Sequence, residues 1–124
     1  MKLIGDFFRQ VSFDGQRYVI ELNAGHCIYG AHFPGHPVTP GVCLVQMVQE
    51  LLSHTMECQL YTRSIRNVKF VSIVSPLTDA RIAVTVTKLE QENGQINVQA
   101  RIEGADDSSR LFAKMSLVLE REAF

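Results

Sequence analysis

His32 and Gly41 are the two residues whose types and spacing could together do chemistry. An unperturbed histidine titrates near pH ~6.5, so it can take a proton at cellular pH. Pro34 and Pro37 deny helix to the residues around them and Gly35 permits a tight turn between them, which puts His32 on a loop. Thr39 followed by Pro40 predicts a helix start, with Thr39 as the capping oxygen, Pro40 in the first turn, and Val38 and Cys43 as a hydrophobic staple. A helix start presents backbone N–H groups carrying partial positive charge, and Gly41 has no Cβ to keep a substrate oxygen away. A base on a loop beside such donors suits proton abstraction next to a polarised carbonyl.

The helix that follows is apolar around most of its circumference, through Val42, Cys43, Leu44, Val45, Met47, Val48, Leu51 and Leu52, which is the pattern of a buried helix. Gln46, Gln49, Glu50 and Ser53 interrupt it at the i, i+3, i+4, i+7 spacing that aligns side chains on one face. Buried polar groups cost about 1–3 kcal/mol each when unbonded. The stripe therefore calls for a structural partner, a watered crevice or a ligand, unless it is simply an exposed or subunit-facing edge.

The elements that must position this helix are strands. FFRQVSF and QRYVIEL flank Asp14-Gly15, a preferred hairpin turn, over residues 7 to 22. Residues 23 to 30 read as irregular, with Tyr29 and Phe33 bracketing His32 in aromatic bulk. The helix is expected over 40 to 54, a connection over 58 to 62, and a strand over 65 to 74, stopping before Ser75-Pro76. Three period-two strands follow, through Ile82 to Thr87, Ile96 to Ile102 and Leu111 to Leu119, separated by Glu92-Asn93-Gly94 and residues 104 to 109. An α+β fold results, an antiparallel sheet wrapped around one long central helix, with edges that a second copy could pair with.

The chain of 124 residues is long enough for one core and too short for two, so residues 1–124 read as a single domain. A hydrophobic fraction of 46% with 20% charged residues is ordinary for a soluble protein, and a net charge of -1 provides no overall field to attract nucleic acid or an anionic membrane. No segment has the ~20 apolar residues of a membrane span. Cys27, Cys43 and Cys58, without a C-x-x-C pair, suit a reducing compartment, and the expected location is cytoplasmic. His26, His32 and His36 with Cys27 and Cys43 do not make a metal site, because Pro34 and Pro37 prevent the helical spacing that would align them. Cys43 reads as a small core hydrophobe.

The segment His32-Phe33-Pro34-Gly35-His36-Pro37-Val38-Thr39-Pro40-Gly41-Val42 closely resembles the H-F-P-G-x-P-x-x-P-G-V signature of the FabA/FabZ-type β-hydroxyacyl-acyl carrier protein dehydratases, which have the hotdog fold. Gln49 matches a family glutamine, and Lys69-Phe70 through Val74-Ser75-Pro76 resembles the family's K-F-x-x-x-V-x-P segment. The resemblance implies a dimer with its site between subunits, a histidine from one chain and an acidic residue from the other chain's helix. Carried over, His32 removes the α-proton of a (3R)-hydroxyacyl thioester and the Gly41 N–H polarises its carbonyl. Phe33, Gly41, Val42, Met47 and Gln49 line the substrate site, with the residues near Met47 and Val48 bordering the acyl tunnel. The implied reaction eliminates water to give a trans-2-enoyl thioester in fatty-acid or related acyl-chain biosynthesis. No metal or organic cofactor is implied; the expected partner is acyl carrier protein or an acyl-CoA substrate, in a homodimer or a heterodimer with a related hotdog subunit.

Gln46 departs from the pattern, standing where the family has glutamate or aspartate. An amide can hold a hydroxyl but cannot deliver the proton that departing hydroxide needs, and positioned acid catalysis is typically worth ~10²–10⁴-fold. Three repairs are open: His32 returns the proton, Glu50 acts from about 6 Å further along the helix axis, or a related subunit supplies a carboxylate. The alternative is a catalytically reduced subunit that binds acyl carrier protein or partners a complete dehydratase. A hotdog thioesterase is a further alternative, against which the H-F-P-G-x-P signature argues. The chain also begins almost at its first strand, without the family's usual preceding helix, and Leu77 stands where the family commonly has glycine. Arg63, Arg66 and Lys69 are either a docking patch for acidic carrier protein or a solvated strand edge.

Overall fold

The computed structural model describes residues 2–31 and 35–122. Six strands and two helices follow in the order β1 (Phe8–Phe13), β2 (Arg17–Leu22), α1 (Cys27–Ala31), α2 (Gly41–Thr55), β3 (Leu60–Phe70), β4 (Arg81–Glu92), β5 (Gln95–Gly104) and β6 (Leu111–Arg121). The strands form one antiparallel sheet in the order β1-β2-β4-β5-β6-β3. After β2 the chain passes through α2 and re-enters the sheet at its far edge, so α2 underlies the whole sheet.

Local sequence explains the turns. Phe13 pairs with Tyr18, so the first hairpin closes over residues 14–17, a wider loop than the two-residue turn expected from Asp14-Gly15. Asp14 Oδ1 accepts the Gln16 and Arg17 N–H groups at 2.9 and 2.7 Å, and Gly15 takes the left-handed φ of 103° that the loop requires. Glu92 pairs with Gln95, leaving Asn93-Gly94 as a two-residue turn with φ of 51° and 77°, the positive values that favour this dipeptide.

The core lies between the sheet and α2. Met47, Val48 and Leu51 are fully buried against Ile20, Ile82, Val98 and Leu117. Each such side chain contributes about 1.5–3 kcal/mol by leaving water. The strands expected at 82–87, 96–102 and 111–119 fall within β4, β5 and β6; burial alternates cleanly over Ile96–Ile102, whereas Ala83, Phe112 and Val118 are buried on the other face as well.

Several local expectations are corrected. Residues 27–31 are a short helix and not irregular chain. The long helix begins at Gly41, with Pro40 in extended conformation at its N-cap and no side-chain cap. Thr39 does not cap it, because its hydroxyl shares a buried hydrogen bond of 3.0 Å with the Tyr29 hydroxyl. With Pro40 at the cap, the Val38–Cys43 staple loses its register. The strand expected over 65–74 runs instead over Leu60–Phe70, because it is an exposed edge broken by two register shifts and carries no steady alternation.

Candidate active site

The polar stripe of α2 is the seam between the two edges of the sheet. On one side Gln49 Oε1 accepts the Thr62 N–H at 2.9 Å and the Thr62 hydroxyl at 2.7 Å, while Ser53 Oγ accepts the Leu60 N–H at 3.1 Å and donates to the Gln49 carbonyl at 2.8 Å. These bonds hold edge strand β3. On the other side the Glu50 carboxylate accepts the Leu3 N–H at 3.0 and 2.9 Å and the Ile4 N–H at 2.6 Å, gripping the turn that leads into β1. The helix is polar along this line because no strand covers it there.

Gln46 sits one turn before Glu50 and donates from Nε2 to Glu50 Oε2 at 2.7 Å. The carboxylate can only accept, so it fixes which end of the amide faces it. Two crevices meet at Gln46. One, of about 580 Å³, runs along the stripe past Ile4, Gln49, Glu50 and Ser53; the other, of about 450 Å³, lies between Val42, Val45 and Gln49 of α2 and Thr62 to Ile65 of β3.

The start of α2 is shaped by Gly41. A Cβ on this residue would stand 2.5 Å from the Phe70 ring, so only glycine lets the ring of the last β3 residue lie against the helix start. The space that glycine was expected to open for a substrate oxygen is thus filled by Phe70. Among the described residues, the N–H groups of Gly41 and Val42 meet no backbone acceptor, as first-turn donors commonly do not.

The segment between the helices is clasped at its base by the Tyr29–Thr39 bond. Tyr29 stacks on Phe7 at 5.1 Å between ring centroids, and burial pushes its hydroxyl up to about 12, so it stays a protonated hydrogen-bonding group. Thr39 N–H donates to the Val74 carbonyl at 2.8 Å, tying the helix entry to the segment after β3.

Of the residues singled out from the sequence, Val42, Gln46 and Gln49 are brought to these crevices, and Val42 is 74% exposed there, whereas Gly41 lies beneath the Phe70 ring and lines neither. Met47 is fully buried in the core and does not reach them. His32 and Phe33 lie outside the described residues. Cys43 is buried, and burial pushes its thiol up, which suits a core residue and not a nucleophile. Among the described residues no cluster of metal-ligating side chains occurs, and no helix is long and apolar enough to cross a membrane. Arg63 pairs with Glu120 at 2.8 Å, and Leu77 is 70% exposed.

Sequence reasoning missed three contributors: Glu50 as a backbone clamp, Phe70 against Gly41, and His26. His26 left no signal in the sequence, because the helix it caps reads as irregular chain and histidine is outside the usual capping residues.

The model of the ApeI-like family, described as ApeI dehydratase, matches residues 10–110. A 3-hydroxyacyl-[acyl-carrier-protein] dehydratase FabZ from Lactobacillus helveticus is 29% identical over 104 residues, covering 68% of this chain and 70% of the relative. The fold is that of the dehydratase heterocomplex ApeI:P from Xenorhabdus doucetiae, at a TM-score of 0.66 and 16% identity over 90% of this chain and 96% of that one. A thioesterase from Haemophilus influenzae shares it at a TM-score of 0.63 and 15% identity, over 93% and 78% of the two chains. With its six-stranded sheet folded on a central helix and a family match across most of its length, the chain belongs to the ApeI-like dehydratases, hotdog-fold proteins of the FabA/FabZ type.

Proposed function

We propose that the chain is the subunit of a (3R)-hydroxyacyl thioester dehydratase that carries the base His32, acting in the cytoplasm on an acyl chain delivered by acyl carrier protein or coenzyme A. The observation that carries this reading is the position of Gln46, where a polar crevice and a more apolar one meet close to the start of α2. An acyl chain in the apolar crevice brings its β-hydroxyl to Gln46 when the half-exposed Phe70 ring swings off Gly41 and the thioester carbonyl takes its place at the first-turn N–H groups. His32 then removes the α-proton, the N–H groups hold the charge that develops on the carbonyl oxygen, and the β-hydroxyl leaves as water once protonated.

That last proton divides two readings. In the first, His32 returns the proton it took, and the chain works as a homodimer. In the second, the chain partners a related hotdog subunit whose carboxylate supplies the proton, in keeping with the dehydratase heterocomplex ApeI:P of Xenorhabdus doucetiae. The second reading is favoured by Glu50, whose two oxygens are engaged by the N–H groups of Leu3 and Ile4 and by Gln46, so the carboxyl nearest the gap is in structural use. A dimer of either kind has a surface ready at β3, where Tyr61, Ile65 and Phe70 are 41%, 51% and 51% exposed beside Val42.

Hydration of a trans-2-enoyl thioester, followed by loss of the conjugated absorbance, tests this with wild type, His32→Ala and Gln46→Glu in parallel. Activity in wild type that disappears in His32→Ala supports the homodimer. Activity only in Gln46→Glu, or only after mixing with a related dehydratase, supports the partner subunit. Thiol release from saturated acyl thioesters without any hydration would overturn both.

A further inference from the structure

The turn over residues 3–8 touches both functional ends of the chain. Its first residues are held by Glu50, which also holds Gln46. The turn itself is closed by backbone bonds from Asp6 and Phe7 N–H to the Leu3 carbonyl, at 3.1 and 2.7 Å, and from Gly5 N–H to the Phe8 carbonyl at 2.7 Å. From its other side the Asp6 carboxylate meets His26 Nε2 at 3.0 Å, and the Asp6 carbonyl accepts Asn23 Nδ2 at 2.9 Å.

His26 transmits this grip to α1. Its Nδ1 accepts the Ile28 N–H at 3.1 Å, so the proton of the neutral ring is on Nε2 and is donated to Asp6. The imidazole thereby caps α1 in the way an asparagine or aspartate side chain does. The ring is packed edge-on against Phe7 at 5.2 Å, and its remaining polar neighbour is the Cys27 thiol at 3.9 Å. Helix α1 ends at Ala31, the residue before His32 in the chain.

We propose that Glu50, Asp6 and His26 are positioning residues, joined through the turn over residues 3–8 into one chain of hydrogen bonds that couples the Gln46 face of α2 to the helix leading into His32. A carboxylate and a histidine that grip opposite sides of one short turn cannot shift independently. The proposal rests on the dehydratase reading only where it concerns turnover; the coupling itself is a property of the fold.

Two arms test it on the intact chain. In amide hydrogen exchange, Glu50→Ala should speed exchange at Leu3 and Ile4 about tenfold and also at Ile28, across the turn, about threefold or more; Glu50→Gln, which keeps an acceptor, should restore both. His26→Asn should keep Ile28 protected through its own cap while making Ile28 insensitive to Glu50→Ala. Unchanged Ile28 exchange in Glu50→Ala would overturn the coupling. In enoyl-thioester hydration, Glu50→Ala and His26→Ala should each lower kcat about tenfold with KM within about twofold, and the double variant should be no slower than either alone. Losses that multiply to about 100-fold would show independent residues and overturn the proposal. If wild type shows no turnover with or without a related partner, the dehydratase reading fails and the exchange arm alone decides the coupling.

Discussion

The sheet has two edges, and they are finished in opposite ways. β1 is short, broken by a register shift between Gln10 and Ser12, and fenced by the chain of Arg9, Glu21 and Arg81, with contacts of 3.1 Å on either side of the carboxylate. β3 is 11 residues long and shows water Tyr61, Ile65 and Phe70. Charge and irregularity close an edge to further strands, whereas length and exposed apolar side chains leave one open. Both edges are nonetheless fastened to the same face of α2, β1 through Glu50 and the turn before it, β3 through Gln49 and Ser53. One helix face thus holds a finished edge and an unfinished one, and the candidate site opens between them.

The sharpest way to break this contrast is to charge the open edge. Val42→Lys combined with Ile65→Lys should weaken self-association, or association with a related subunit, about 100-fold in sedimentation velocity, while Arg9→Ala at the closed edge should leave it unchanged. An equal response at both edges would mean that β3 is not the partner surface.

The next effect is on stability. Gln49→Ala strips Thr62 of the acceptor for both its N–H and its hydroxyl, and should lower unfolding free energy by about 1–3 kcal/mol in urea titration. Exchange in that variant should rise along β3 and not along β1, which separates the two fastenings.

Alkaline pH gives a smaller test. Tyr29 has its hydroxyl pushed up from 10.0 to about 12 by burial, so its contribution to stability is complete below pH 10 and is lost as pH rises towards about 12. Tyr29→Phe should flatten that decline in a thermal melt series, with the start of α2 affected and β3 spared.

The smallest effect belongs to Arg63, whose pairing with Glu120 spans β3 and β6 at the surface. Arg63→Ala should change stability by no more than about 0.5 kcal/mol. If it instead weakens carrier-protein binding, the edge has a second use.

What was legible in the sequence depended on whether a pattern was local. The long helix could be read from 40 to 54 because its apolar residues repeat within its own length, and the inner strands because apolar residues recur at every second position along each. β3 was misplaced because an edge strand has no covered face to impose alternation, and two register shifts break what remains. The stripe of Gln46, Gln49, Glu50 and Ser53 was visible, yet its use was not. The partners of Glu50 are backbone groups 46 and 47 residues away, and every residue type except proline supplies the same N–H. α1 escaped because five residues with a glycine among them carry too little periodicity, and its histidine cap lay outside the usual capping set.

The Tyr29–Thr39 clasp has a consequence for how such a site can diversify. Its ends stand 10 residues apart, and the entropy of closing a flexible loop grows by only ~0.6 kcal/mol for each doubling of length. A change of length after Ala31 therefore carries a small closure cost in itself, while the contacts of Tyr29 to Phe7 and of Thr39 to Val74 keep sheet and helix in registry. The clasp thus sets the registry of sheet and helix from outside the span it closes, so that the fold does not depend on the number of residues between its two hydroxyls.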